Sequence, residues 1–238
     1  MALVVAGHPI NSTEGQDKIT STDKITTPYF TDSIVTWAAG DLHTASLSDT
    51  NEVYYYGLAK DNVTGSVQFT VAYGNVNGKG GDSDSDNIKS PTEVIYKQWA
   101  NLLLAPTEIT GGFKISQGGS SGVLSSGTRD DDIYVLVAER SLFKDRVNAG
   151  SWTVALSGSA GGLVGTMPSG AGAYSTGSGV LYLTDDSKTV APTSTVVGNR
   201  YNIVSGSAGS VASASSVRTF GWFYPDVGAL VFSQAELS

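Results

Sequence analysis

The stretch DSDSDNIKSPTE (82–93) sets Asp82, Asp84 and Asp86 at positions 1, 3 and 5 of a loop whose position 12 is Glu93. Those are the carboxylate positions of an EF-hand, where hard oxygen ligands surround a calcium ion. The flanks argue against that motif. The upstream VAYGNVNGKGG cannot form the required first helix, position 6 is Asn87 rather than Gly, and position 8 is Lys89 rather than an apolar residue. Ser90, Pro91 and Glu93 also spell a helix start, with Ser at the N-cap, Pro at the first helical position and Glu three after the cap. The expectation is therefore no metal or other cofactor, with Asp82, Asp84 and Asp86 kept as a weak, non-EF calcium candidate.

Other residues capable of chemistry are few. Of the two histidines, His8 stands in the N-terminal arm and His43 in a polar stretch; they are too few for a three-histidine zinc site, though one could serve as a base. GGSSG (118–122) has the form of a nucleophile elbow around Ser120, but it lies in a serine-glycine tract without the strand and helix that motif needs. Asp130, Asp131 and Asp132 read as a solvated start to the apolar strand that follows, and Asp185 with Asp186 marks a turn. No catalytic residue is assigned, and the expectation is a protein that is not an enzyme. Of the four tryptophans, Trp37, Trp99 and Trp152 lie in apolar-periodic contexts and read as core. Trp222, with Phe223 and Tyr224 in FGWFYPD, is a candidate contact surface, either for a protein partner or as a stacking platform for a sugar. Arg140, Lys144 and Arg146, in a chain with only 14 basic residues, form a second candidate contact for an acidic neighbour.

The elements that must position these residues are mostly strands. EVYYYGLA (52–59) and SVQFTVAYG (66–74) are rich in aromatic and β-branched residues and read as a hairpin. SPTEVIYKQWANLLLAP contains the one convincing helix, with Ile95, Trp99, Leu102 and Leu103 as its apolar stripe and Pro106 closing it. RDDDIYVLVAE is apolar on both faces from Ile133 to Ala138, which predicts a central strand. SWTVALSG, GVLYLTDD, NRYNIVSG, VRTFGWFYPD and GALVFSQ supply further short strands. The fold class expected is mainly β, all-β or α+β: an antiparallel, sandwich-like domain of about eight or nine strands with one amphipathic helix near 91–105. Residues 1–40 read as an N-terminal arm, and 41–238 as a single β-rich domain with Gly/Ser-rich loops.

Composition narrows the function classes. The chain of 238 residues holds 29 glycines, no cysteine, only 15% charged residues and a net charge of −8. Disulfides and cysteine chemistry are thereby excluded. The negative field disfavours a nucleic-acid partner, and no apolar run approaches the ~18 residues that would suggest membrane insertion. The start MALVVAGHPINSTEG lacks the positive region of a secretion signal, so a cytoplasmic origin is expected.

The blocks EVIYKQWANLLLAP (93–106), DDIYVLVAERSLFKDRVNAGSW (131–152), LYLTDDSKT (181–189), NRYNIVSG (199–206) and FGWFYPDVGALVFS (220–233) resemble, in this order, virion structural proteins of contractile-tailed phages that infect cyanobacteria and other marine bacteria. The resemblance spans roughly residues 50–235 and departs at Asn148–Ala149–Gly150, where a proline-glycine turn is expected. It implies a non-enzymatic structural subunit of the tail or baseplate, made in the host cytoplasm and residing in the virion. Its partners would be other virion proteins and copies of itself in a symmetric assembly. The alternatives are a carbohydrate-binding or adhesin-like β module and a head-surface decoration protein.

Overall fold

The computed structural model describes residues 3–5, 8–10, 42–44, 55–59, 67–79, 91–115, 127–143, 145–157, 180–212 and 218–237. Within the first forty residues, β1 (Leu3–Val5) and β2 (His8–Ile10) form a hairpin separate from the main sheet. The main sheet uses β3 (Leu42–Thr44), β4 (Tyr55–Ala59), β5 (Val67–Asn75), β6 (Asp132–Ala138), β7 (Val154–Ser157), β8 (Val180–Asp185), β9 (Thr193–Thr195), β10 (Gly198–Ser207), β11 (Ser210–Val211), β12 (Thr219–Tyr224) and β13 (Ala229–Ser233). Every pairing is antiparallel. The spatial order is β3-β4-β5-β6-β13-β12-β10-β8-β7, with β9 and β11 pairing parts of β10. The mainly β, antiparallel expectation holds, realised as one continuous curled sheet. β6 lies between β5 and β13, the central position that its two-sided apolar pattern predicts.

Alternation along the strands divides the core between the two faces. Ile133, Val135, Val231, Trp222 and Tyr224 face α1 (Pro91–Leu103) and the segment after it, packing with Tyr96, Ala100, Leu103, Leu104, Phe113 and Ile115. Tyr134, Leu136, Leu230, Phe232 and Phe223 turn to the other face, against Leu181, Leu183, Ile203 and Trp152. Each fully buried Leu, Ile or Phe contributes roughly 1.5–3 kcal/mol by leaving water. Phe220 breaks the alternation. Between Ile203↔Gly221 and Val204↔Thr219 the register slips by one, so Phe220 is the extra residue of a β-bulge and joins the Phe223 face.

The helix lies where expected and opens on Pro91, but the buried face is turned by somewhat less than one ~100° residue step. Thr92, Tyr96, Ala100 and Leu103 are buried, Ile95 and Trp99 are half-buried, and Leu102 is 45% exposed. The reason is Tyr96. Its hydroxyl donates to the Asp130 carbonyl at 2.8 Å and accepts from the Phe113 N–H at 3.1 Å, which fixes that face toward the sheet. The chain then restarts as α2 (Pro106–Ile109), where the Glu108 carboxylate accepts from the Ala105 N–H at 3.0 Å. A last turn, α3 (Gln234–Leu237), follows β13 directly.

Candidate interaction surface and buried polar clusters

Asp82, Asp84, Asp86, Ser120 and Lys144 lie outside the described residues. Glu93, which would close the calcium loop, pairs with Lys97 one turn along α1. His8 and His43 fall in β2 and β3.

The connection from β6 to β7 carries Arg140 and Arg146, and both are exposed. Arg140 opens a short 3₁₀ turn (Arg140–Leu142), donates to the Phe143 carbonyl at 3.0 Å and lies 4.5 Å from the centre of the Phe143 ring. It is tied to its own turn. Among the described residues Arg146 pairs with Asp226 at 3.9 Å, both side chains facing solvent, so the pair contributes little to stability. Asp226 belongs to the β12–β13 turn, to which the connection is stitched by the Val147 N–H donating to the Pro225 carbonyl. The same carboxylate accepts from the Asn199 N–H at 3.2 Å. Arg146 and Asp226 thus border the β9–β10 hairpin.

That hairpin is the most exposed apolar feature among the described residues. From 188 to 194 every residue is exposed; Val190 is 48% and the tip residue Val196 57% exposed. The tip is closed by Thr195, whose hydroxyl donates to the Gly198 carbonyl, and by Gly198 at φ +107°, where a Cβ would strike the Asp226 carboxylate. Behind it, the Arg200 guanidinium lies 3.9 Å from the centre of the Trp222 ring.

Trp222, Phe223 and Tyr224 do not form an exposed platform, which corrects the expectation for them. β12 is a central strand with both faces covered, and all six of its residues are buried. Trp222 retains 8% exposure beneath Arg200 and lies 6.2 Å from Phe113; Phe223 meets Trp152 edge-on at 5.2 Å. Burial pushes the Tyr224 phenol up to about 12.

The acidic pairs are also more buried than their sequence context predicts. Asp130 is no solvated flank. It is 1% exposed, its Oδ2 accepts from the Ile115 N–H at 2.6 Å, and its own N–H donates to the Phe113 carbonyl. Burial raises its pKa, and the nearby charges of Glu236 and Asp131 add to the effect. Asp131 stays exposed with Arg129, whereas Asp132 accepts from the Tyr73 hydroxyl and the Asn75 amide. Asp185 and Asp186 do mark a turn, but from inside. Asp185 accepts from the Gly150 and Ser187 N–H groups, and Asp186 accepts from both the backbone and the amide of Asn202. Burial also raises the Asp186 pKa. Gly150, at φ +71°, supplies the turn that a proline-glycine pair was expected to make.

The strongest buried pair has no local signal. Arg218 Nε reaches Glu236 Oε2 at 2.7 Å, with the two side chains 3% and 0% exposed, tying the start of β12 to α3. Its partners are 18 positions apart, a spacing no motif encodes.

These clusters brace backbone and join elements. Among the described residues, no group of three or more His, Cys, Asp or Glu side chains is placed to hold a metal ion. No described helix is long and apolar enough to cross a membrane. No family model, no curated protein and no solved structure matches the chain.

Proposed function

We propose that the chain is a non-enzymatic structural subunit of a phage virion, placed in the tail or baseplate and acting through protein–protein contacts. One observation carries the reading: Asp130, Asp185, Asp186 and Glu236, the described carboxylates with the least exposure, all hold backbone groups or a guanidinium within the fold. Acidic side chains used this way stiffen a scaffold. A catalytic carboxylate instead needs access to a substrate atom. The blocks that resemble virion proteins contribute to α1, β6, β8, β10, β12 and β13, so the resemblance falls on the packed part of the sheet. The burial of Trp222, Phe223 and Tyr224 takes away the surface on which the sugar-binding alternative rested.

The test is immunogold electron microscopy of purified particles with antibody to the isolated chain. Label at the tail end supports the baseplate. Label along the tail keeps a tail subunit, and label on the head moves the protein to the decoration class. Particles that carry no label and lack the protein in their mass spectrum refute the virion reading.

A further inference from the structure

We propose that the β9–β10 hairpin is a self-association edge, at which β9 pairs antiparallel with β9 of a second copy about a two-fold axis through Ser194.

The backbone supplies the first reason. β9 pairs with β10 on one side, and among the described residues no strand lies on its other side. Alternate residues of a paired strand turn their N–H and C=O groups away from the partner, so an edge offers ready-made hydrogen-bond sites. Soluble proteins blunt such edges with charged side chains, with proline or by keeping the strand short, and β9, three residues long after Pro192, uses the last two devices but not the first. The stretch TVAPTSTVVGN (189–199) contains no charged side chain, in a protein whose net charge is −8.

Charge also selects the occupant. Two copies repel each other wherever their acidic surfaces meet, and a like-charged contact is penalised most at close range. The hairpin presents only Thr, Ser, Val, Ala, Pro, Gly and Asn between Lys188 and Arg200, so the residues that pair carry no charge, while Asp226 and Arg146 border the tip. The geometry is self-complementary. With Ser194 on the axis, Thr193 of one copy opposes Thr195 of the other, and exposed Val196 opposes exposed Pro192. A single patch that matches itself is what a two-fold interface requires.

A three-residue strand flanked by a few apolar side chains is small, well under the ~800 Å² per partner of a stable complex. Each pairing is accordingly weak and reversible in dilute solution, and gains strength when several contacts act together in an assembly. The inference stands on the hairpin itself, and the particle-labelling result bears on it in neither direction.

Because the chain has no cysteine, one introduced thiol reports on one position. Ser194→Cys is compared with Ser151→Cys, which is exposed on a different segment. Directly opposed residues in an antiparallel pair hold their Cβ atoms about 4.5–5.5 Å apart, near disulfide reach. Under mild oxidation at equal concentration, the Ser194→Cys variant is expected to form covalent dimer at least about tenfold faster than the control. Adding Val196→Glu, at a tip residue 57% exposed, should bring that rate down to the control value while leaving the melting temperature unchanged. Equal rates for the two single-cysteine variants overturn the proposal. So does fast crosslinking that Val196→Glu leaves untouched.

Discussion

Removing Arg218 by Arg218→Met tests how far the buried ion pair determines the join between β12 and α3. Methionine keeps most of the apolar stem and its packing near Phe220 while deleting the guanidinium. Glu236, 0% exposed and 2.7 Å from Arg218 Nε, then loses its ionic partner in a region where Asp130 is also buried. Breaking one side of such a pair costs about 3–5 kcal/mol. At about 2–4 °C per kcal/mol for a protein of this size, the melting temperature should fall by roughly 6–20 °C. Glu236→Leu alone should cost a similar amount, since it strands the guanidinium instead. The double variant Arg218→Met/Glu236→Leu removes both charges and should return to within about 1 kcal/mol of the parent, or exceed it. Chemical denaturation of the four proteins gives the cycle directly, with an expected coupling of at least about 5 kcal/mol. Single losses under about 1 kcal/mol that simply add in the double variant would refute the reasoning, because they would mean that water reaches the pair.

Three further outcomes follow from individual contacts. Tyr96→Phe keeps the edge-on contact with Phe113 but strands the Asp130 carbonyl and the Phe113 N–H, so urea denaturation should read a loss of about 2–4 kcal/mol; an unchanged midpoint would contradict the hydroxyl's bridging role. Ala208, at φ +46° beside Gly209 in the β10–β11 turn, is the single non-glycine at positive φ among the described residues, and Ala208→Gly should stabilise by about 0.5–1 kcal/mol, read as a rise in midpoint. Asp130 has a raised folded-state pKa, so the native state takes up its proton before the unfolded chain does, and this site's contribution to stability grows as pH falls from 7 toward the ordinary aspartate value of about 3.9. Asp130→Asn retains an oxygen for the Ile115 N–H, so it should be the more stable protein at neutral pH, with an advantage that shrinks on acidification; melting curves in which the gap widens instead would reverse the assignment.

What the sequence made legible is what period and position alone decide. β6 was readable as central because a run apolar on both faces has nowhere to go but between two neighbours, and the helix start was readable because Pro91 and Glu93 both suit a first turn, while the Ser90 cap lies outside the described residues. The same reasoning, applied to FGWFYPD, would have placed Trp222 in the core: the run is apolar on both faces, and β12 is buried throughout. The buried face of α1 departs from its apolar periodicity for a different reason. Periodicity weighs Leu102 and Leu103 alike, whereas the two backbone groups that Tyr96 must satisfy lie in segments far along the chain. Asp130 and the Arg218–Glu236 pair belong to that same class. An acidic residue before a strand looks solvated until the Phe113–Ile115 segment closes over it, and an ion pair across 18 positions exists only once β12, β13 and α3 are assembled. Local propensity thus accounts for the elements, while burial of polar groups depends on contacts that only the finished sheet creates. The proposed β9 pairing follows the same logic one level higher, since among the described residues nothing pairs the outer side of β9, and the proposal assigns that side to a second copy.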